Sequence, residues 1–297
     1  MEFLAPTTWQ DALAAKAEYP DAVPVAGGTD VMVGINSGRL RPSALLDLGR
    51  VTDLTDWGLD GGYLRLGAAV PYRRIIEELK DKAPGLGMAA RTVGSPQIRN
   101  RGTIGGNLGT GSPAGDCHPP LLVCDAVIEL ASVRGVRRIP VTEFFLGPKR
   151  TAVAPDELIA AVLVPPADGP QQFAKVGTRN AMVIAVCSFA LALTPERGWV
   201  RAAIGSAGPV PTRAYTAEQF LTEALQQDGF ASRSGRGDVA LPESVVRRFG
   251  ELVAAAASPI DDVRGTAAYR RHALSVLAQR TLRWAWESYR GRGDRCT

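Results

Sequence analysis

Between Arg99 and Asp116 the chain places glycine at Gly102, Gly105, Gly106, Gly109, Gly111 and Gly115, with almost no side-chain bulk between them. Glycine costs ordering entropy and contributes no packing, so such a cluster is expected where the backbone takes unusual dihedrals or lies close against a ligand. The segment reads as a long loop whose backbone is meant to be touched. A shorter echo, Ala26-Gly27-Gly28-Thr29-Asp30-Val31, follows a brief apolar run. Two lean loops of this kind point to one extended, phosphorylated ligand.

The chain has 297 residues, 45% hydrophobic and 22% charged, enough for one large domain or two ordinary ones. The net charge of +4 comes from 34 basic against 30 acidic residues spread along the sequence. With no long basic run and no aromatic-basic interleaving, electrostatic capture of nucleic acid has no support. Arg134-Gly135-Val136-Arg137-Arg138 reads as a hairpin turn with solvated charges. The start, Met1 to Pro6, lacks a basic region followed by a long apolar stretch, so no secretory signal is visible. The longest apolar run, Met182 to Leu193, is broken by Ser188 and falls short of the roughly 20 residues of a membrane span; it is a buried strand or a core helix. Cys117, Cys124, Cys187 and Cys296 form no C-x-x-C pair, which points to a reduced, cytoplasmic protein without its own zinc or iron-sulfur site. His118 and His272 are the only histidines, too few for a metal site or a serine-type triad.

Along the chain, Thr7 or Thr8 caps a first helix that ends before Pro20. Val23 to Ala26 is a short strand delivering the chain into Gly27-Gly28. Leu45 to Leu48 and the alternating Leu64, Leu66, Ala68 and Val70 read as strands separated by a turn-rich Trp57 to Gly62. Pro71 to Lys82 reads as helical, and Met88 to Val93 as the end of a helix. After the glycine segment come apolar runs at 121–124 and 127–130, then Asp156 to Val164 ending at Pro165-Pro166. A boundary near residue 170 divides a first domain, 1–168, itself split near 55–60, from a second, 171–290, with 291–297 as a flexible tail. In the second domain, strands at 185–193 and 199–204 precede helices at 216–226, from Glu243 and from Thr266. A polar stretch runs from Asp228 to Asp238, and the Gly-Arg-Gly-Asp strings at Gly235 and Gly291 read as loop and tail. Tyr269, Ala273, Val276, Leu277 and Trp284 form a stripe on the last helix, read as packing onto the domain's own sheet. The fold class is α+β.

Backbone N–H groups around glycines can approach a pyrophosphate where any Cβ would clash, which favours Gly27, Gly28, Gly105 and Gly106. Thr29, Thr103, Asn107, Thr110 and Ser112 add short donors to phosphate or ribose. Asp30 and Asp116 suit sugar hydroxyls or cap helices. The usual nucleotide signatures are missing: no Gly-x-Gly-x-x-Gly follows a strand, and Gly147-Pro148-Lys149 lacks the spacing of a P-loop.

Taken together, Ala26 to Asp30, Val93 to Asn107 and Ser112 to Asp116 closely resemble the FAD-binding medium subunit of the molybdenum hydroxylases, the xanthine dehydrogenase and carbon monoxide dehydrogenase family. Glu157-Leu158-Ile159, Phe173 to Arg179 and Asp262 to Arg271 also look like that family, so the resemblance covers nearly the whole chain. It implies a two-subdomain FAD-binding domain of the vanillyl-alcohol-oxidase-like (PCMH) type, followed by a smaller α+β domain, an antiparallel sheet with helices, that closes over the isoalloxazine. Pro24, Val25, Ala26, Gly27, Gly28, Thr29, Asp30 and Val31 would wrap the pyrophosphate from one side and Thr103, Ile104, Gly105, Gly106 and Asn107 from the other, with Thr110 and Ser112 nearby. Asp116 would bind a sugar or ribityl hydroxyl, Ile159 would pack on the flavin, and Lys175 would extend toward the ring. By themselves, Ile159 is ordinary strand core and Lys175 a surface ion pair.

In this family the substrate is oxidised at a molybdenum cofactor on a large subunit, and electrons pass through two [2Fe-2S] clusters on a small subunit to FAD, then to NAD or another acceptor. The resemblance thus implies a cytoplasmic, heteromeric, xanthine dehydrogenase-type complex in which this chain holds FAD and supplies no catalytic side chain. The 4-hydroxybenzoyl-CoA reductase branch carries an extra cysteine-bound cluster in this subunit, and no matching cysteines are present. Two other readings stay open: a self-standing FAD-dependent oxidoreductase or monooxygenase, and a non-catalytic nucleotide-binding or assembly protein.

Overall fold

The computed structural model describes residues 1–227 and 240–291. Its chain divides into two compact units. The first takes in Met1–Glu78, Val93–Ser112 and Asp125–Pro166; the second takes in Leu79–Thr92, Pro113–Cys124 and the described residues from Ala167 onward. Two segments amino-terminal to residue 170, 79–92 and 113–124, therefore belong with the second unit.

In the first unit, strand β1 (Glu2–Leu4) leads into helix α1 (Trp9–Glu18). Thr8 is its cap, its Oγ1 accepting from the Asp11 N–H at 3.1 Å. Strand β2 (Val23–Val25), helix α2 (Val31–Asn36) and strand β3 (Ala44–Asp47) follow. The three strands form a parallel sheet in the order β1-β3-β2, which needs crossovers of the kind α1 and α2 provide. Ala12, Leu46, Leu48, Val51 and Leu54 are its core.

The chain continues through β4 (Trp57–Asp60), β5 (Tyr63–Gly67) and helices α3 (Tyr72–Glu78), α4 (Pro84–Thr92), α5 (Pro96–Arg101), α6 (Ile104–Thr110) and α7 (His118–Val123). Strands β6 (Val127–Ser132) and β7 (Gly135–Pro140), the short helix α8 (Val141–Phe144), the hairpin β8 (Phe145–Gly147) and β9 (Arg150–Thr151), and β10 (Leu158–Val164) come next. A second, antiparallel sheet runs β4-β5-β10-β6-β7, with β10 buried along its whole length. Trp57–Asp60, expected as turn, is a strand: the hairpin is turned instead by Gly61 and Gly62, both at positive φ, so Gly58 and Asp60 stay in register opposite Arg65 and Tyr63. The charges at Arg137 and Arg138 are not merely solvated. The β6–β7 register sets Arg138 against Glu129, and Arg137 lies 2.6 Å from Glu157.

The second unit has the antiparallel sheet β11 (Gln171–Val176), β12 (Cys187–Thr194), β13 (Trp199–Gly205) and β14 (Thr212–Arg213), in that order, and helices α9 (Tyr215–Gln227), α10 (Glu243–Ala255) and α11 (Ala267–Gly291). The α+β architecture is as expected, with strands first and helices after them. Phe189 and Phe249 meet edge to face at 6.2 Å in its core. The buried stripe of α11 runs through Ala273, Leu274, Leu277, Ala278, Thr281, Leu282 and Ala285. Tyr269 and Trp284, expected on that stripe, are 48% and 44% exposed; the face turned toward β12 and α10 is rotated by roughly a quarter turn from the one predicted. The 228–238 stretch, the Gly235 string, the tail beyond Gly291 and Cys296 lie outside the described residues. Cys117, Cys124 and Cys187 are buried and outside any disulfide, and burial pushes the Cys187 thiol up to about 12. Among the described residues no helix is long and apolar enough to cross a membrane, and no group of three or more His, Cys, Asp or Glu side chains is placed to hold a metal.

Candidate functional site

A cavity of about 300 Å³ opens in the first unit. One wall is built where β2 ends and the chain turns through Ala26–Asp30 into α2. Gly28 makes that turn possible with φ +74°, a conformation that side-chain-bearing residues avoid. Among the described residues, the N–H groups of Gly27, Gly28, Thr29 and Asp30 find no acceptor. Consecutive free amides around a left-handed residue make a concavity suited to an anion. Pro24, Ala26, Gly27, Gly28, Thr29, Asp30 and Val31 all line the cavity.

The opposite wall overturns the loop expected at Arg99–Asp116, because most of that segment is helical. Ser95 caps α5, accepting from the Ile98 N–H, and Thr103 caps α6, accepting from the Gly106 N–H at 3.0 Å. The glycines serve close packing that overrides their low helix propensity. A Cβ on Gly105 would stand 2.5 Å from Ala68 Cβ and 2.6 Å from its carbonyl oxygen, and one on Gly27 would stand 1.9 Å from the Arg101 carbonyl oxygen. Gly106 is different: it is exposed, and a Cβ there would meet only Thr103 Oγ1, at 3.1 Å. Thr103, Gly105, Gly106, Asn107 and Thr110 face the cavity. The Thr110 hydroxyl lies 3.1 Å from Asp30 Oδ2, joining the two walls. Asp30 stands at the N-cap position of α2 yet makes no side-chain cap bond.

Apolar side chains, among them Leu48, Leu54, Ala68, Tyr72, Leu158 and Ile159, complete the lining. Ile159 is thus both strand core, 9% exposed, and cavity wall. Sequence reasoning missed Lys16 and Glu157 as wall residues. Lys16 is buried in α1, its Nζ donating to the Pro20 and Ala22 carbonyls at 2.7 Å each; the one available signal was a lone lysine inside the Ala-rich run 12–17. Glu157 is held by Arg137 and by the Ala154 N–H, and the Arg137 guanidinium keeps its carboxyl below the usual carboxylate range.

Val25, Ile104 and Ser112 do not line the cavity. Ile104 is fully buried in the core because α6 turns it inward. Asp116 and Lys175 belong to the second unit, where they pair with each other at 2.5 Å. The pair is buried, not a surface one. Lys175 Nζ also donates to the Thr92 and Val183 carbonyls, and Thr92 Oγ1 donates to Asp116 Oδ2. Burial pushes the Asp116 carboxyl up and the charge of Lys175 opposes it. Asp116 Oδ1 is buried without a hydrogen-bond partner.

Residues 1–167 match the family described as the FAD binding domain in molybdopterin dehydrogenase. The chain belongs to that family. Over 236 residues it is 33% identical to a nicotinate dehydrogenase FAD-subunit of Eubacterium barkeri, covering 75% of this chain and 80% of the relative. Over 227 residues it is 34% identical to a xanthine dehydrogenase FAD-binding subunit of Escherichia coli, covering 73% and 77%. A solved carbon monoxide dehydrogenase from Hydrogenophaga pseudoflava, lacking the Mo-pyranopterin moiety of its molybdenum cofactor, contains a chain that superposes with a TM-score of 0.85 at 26% identity, covering 97% of this chain and 98% of that one. This FAD-binding chain is accordingly part of a molybdenum-containing oxidoreductase. The two glycine-rich walls fall inside the matched region.

Proposed function

We propose that this chain is the FAD-holding electron-transfer subunit of a xanthine dehydrogenase-type complex, receiving electrons from [2Fe-2S] clusters on a small subunit, downstream of a molybdopterin-bearing large subunit, and delivering them to NAD. The observation that carries the reading is the run of four unpartnered amides, Gly27 to Asp30, on the wall of an apolar cavity. Such donors match a diphosphate, and the apolar walls exclude water from the rest of the ligand. FAD, when bound, supplies the redox capacity, taking electrons singly and releasing them as a pair.

The chain's own residues bind and orient. Gly28 holds the amide turn open, and Gly106 adds no side-chain atom of its own to the facing wall. Thr110 and Asp30 keep the two walls in register. Ile159 and Leu48 give an apolar surface for a ring to lie on. Asp116 is the further candidate for a sugar or ribityl hydroxyl; it does not line this cavity, and within the second unit its carboxylate is paired with Lys175 at 2.5 Å. The relatives named for nicotinate and xanthine support a parent enzyme acting on a nitrogen heteroaromatic ring.

Purification with its native co-expressed chains tests this. The expected product is a yellow complex containing stoichiometric FAD, molybdenum and iron, whose flavin absorbance bleaches on anaerobic addition of xanthine and returns with NAD. A lone chain that oxidises an organic substrate without metal would overturn the subunit assignment. A colourless protein that takes up no FAD would overturn the whole reading.

A further inference from the structure

Lys16 is 6% exposed, sits in the cavity wall, and spends two of its donors on the Pro20 and Ala22 carbonyls. An ammonium has three N–H donors, so one remains uncommitted. Among the described residues no carboxylate lies within ion-pair distance of Nζ; Asp21 and Asp156 act on it only through space. A buried cation with no direct ion pair is costly. The same cavity carries the unpartnered amides of Gly27 to Asp30 on another wall. Both features suit a negatively charged ligand, and neither is fully satisfied among the described residues.

We infer that Lys16 is a further ligand-binding residue of this cavity, donating its third N–H to a phosphoryl oxygen, so that the site selects diphosphate-bearing nucleotides over uncharged nucleosides. The inference rests on the FAD reading above. Lys16 would then set affinity, while the glycines set shape. The competing role is a staple that ties the end of α1 to the start of β2.

The test titrates FAD, ADP and adenosine against the flavin-free full chain as wild type, Lys16→Gln and Lys16→Arg, with thermal unfolding of each. Glutamine keeps two N–H donors on a slightly shorter side chain but carries no charge. Lys16→Gln is expected to weaken FAD and ADP by about tenfold or more, the scale of a charge-assisted hydrogen bond, with adenosine affinity and melting temperature unchanged and Lys16→Arg restoring most of the loss. Equal FAD and ADP affinity in wild type and Lys16→Gln would overturn the inference. So would a parallel loss for adenosine, or failure of both variants to fold, either of which assigns Lys16 to the staple. A wild-type chain that binds neither FAD nor ADP would defeat the FAD reading itself, whereas wild-type FAD binding indifferent to Lys16 defeats this inference alone.

Discussion

Glycines that look alike in the sequence differ in what surrounds them. Gly105 is wedged against Ala68 and Gly27 against the Arg101 carbonyl, whereas Gly106 meets only the Thr103 hydroxyl. Gly105→Ala is therefore expected to destabilise the chain by about 1–3 kcal/mol through overpacking, read as a lower urea midpoint. Gly106→Leu is expected to leave that midpoint near wild type, since leucine also favours the helix, while abolishing FAD retention on gel filtration; a folded Gly106→Leu protein with normal flavin occupancy would refute the placement. Gly28→Ala is the poorer probe, because φ +74° strains any side-chain-bearing residue before a ligand is considered. The positions of these glycines were legible in the sequence, but their division of labour was not, because it depends on what lies opposite in space. Lys16 was hidden for a related reason: a lysine in a helix reads as solvated until the turn that buries it is known.

Elements were most legible where local chemistry decides them. Thr8 caps α1 and Thr266 caps α11, its hydroxyl accepting from the Tyr269 N–H, and both starts could be read from residue type alone. Where packing decides, the reading slipped: α6 looked like loop because glycine disfavours helix, and β4 looked like turn because glycine and aspartate disfavour strand. The segment leading into α11 shows a local element held by charge. Asp262 is partly buried, which opposes its ionisation, but the Arg264 amide and the guanidinium groups of Arg264 and Arg270 outweigh this and hold its carboxyl at about 2. Its folded value lies below its unfolded one, so its contribution to stability is present above about pH 4 and fades as pH falls toward 2. Asp262→Asn is expected to flatten that part of the acid limb in urea midpoints measured across this range. An equally steep limb in the variant would show that other carboxylates govern it.

At the scale of the molecule, the sequence suggested a boundary near 170, while the compact units interleave. Helices α4 and α7 are encoded inside the region matched by the FAD-binding family, yet they belong with the sheet β11-β12-β13-β14. Leu86, Ala89 and Ala90 of α4 and Leu121 and Leu122 of α7 are buried. A fragment ending at residue 167 would leave these apolar faces without their sheet, and is expected to aggregate or to bind an apolar dye strongly; a monodisperse fragment with full FAD affinity would show that the first unit is self-sufficient. No local pattern could have announced this, since α4 and α7 have ordinary helical sequences and their partners lie far along the chain.

The same interleaving bears on synthesis. The ribosome completes all of the first unit before β11 emerges, so α4 and α7 must wait, apolar faces uncovered, while the strands that will shelter them are still being translated. The order of manufacture therefore runs against the order of assembly, and the interval between them is when a nascent chain of this kind most needs a chaperone.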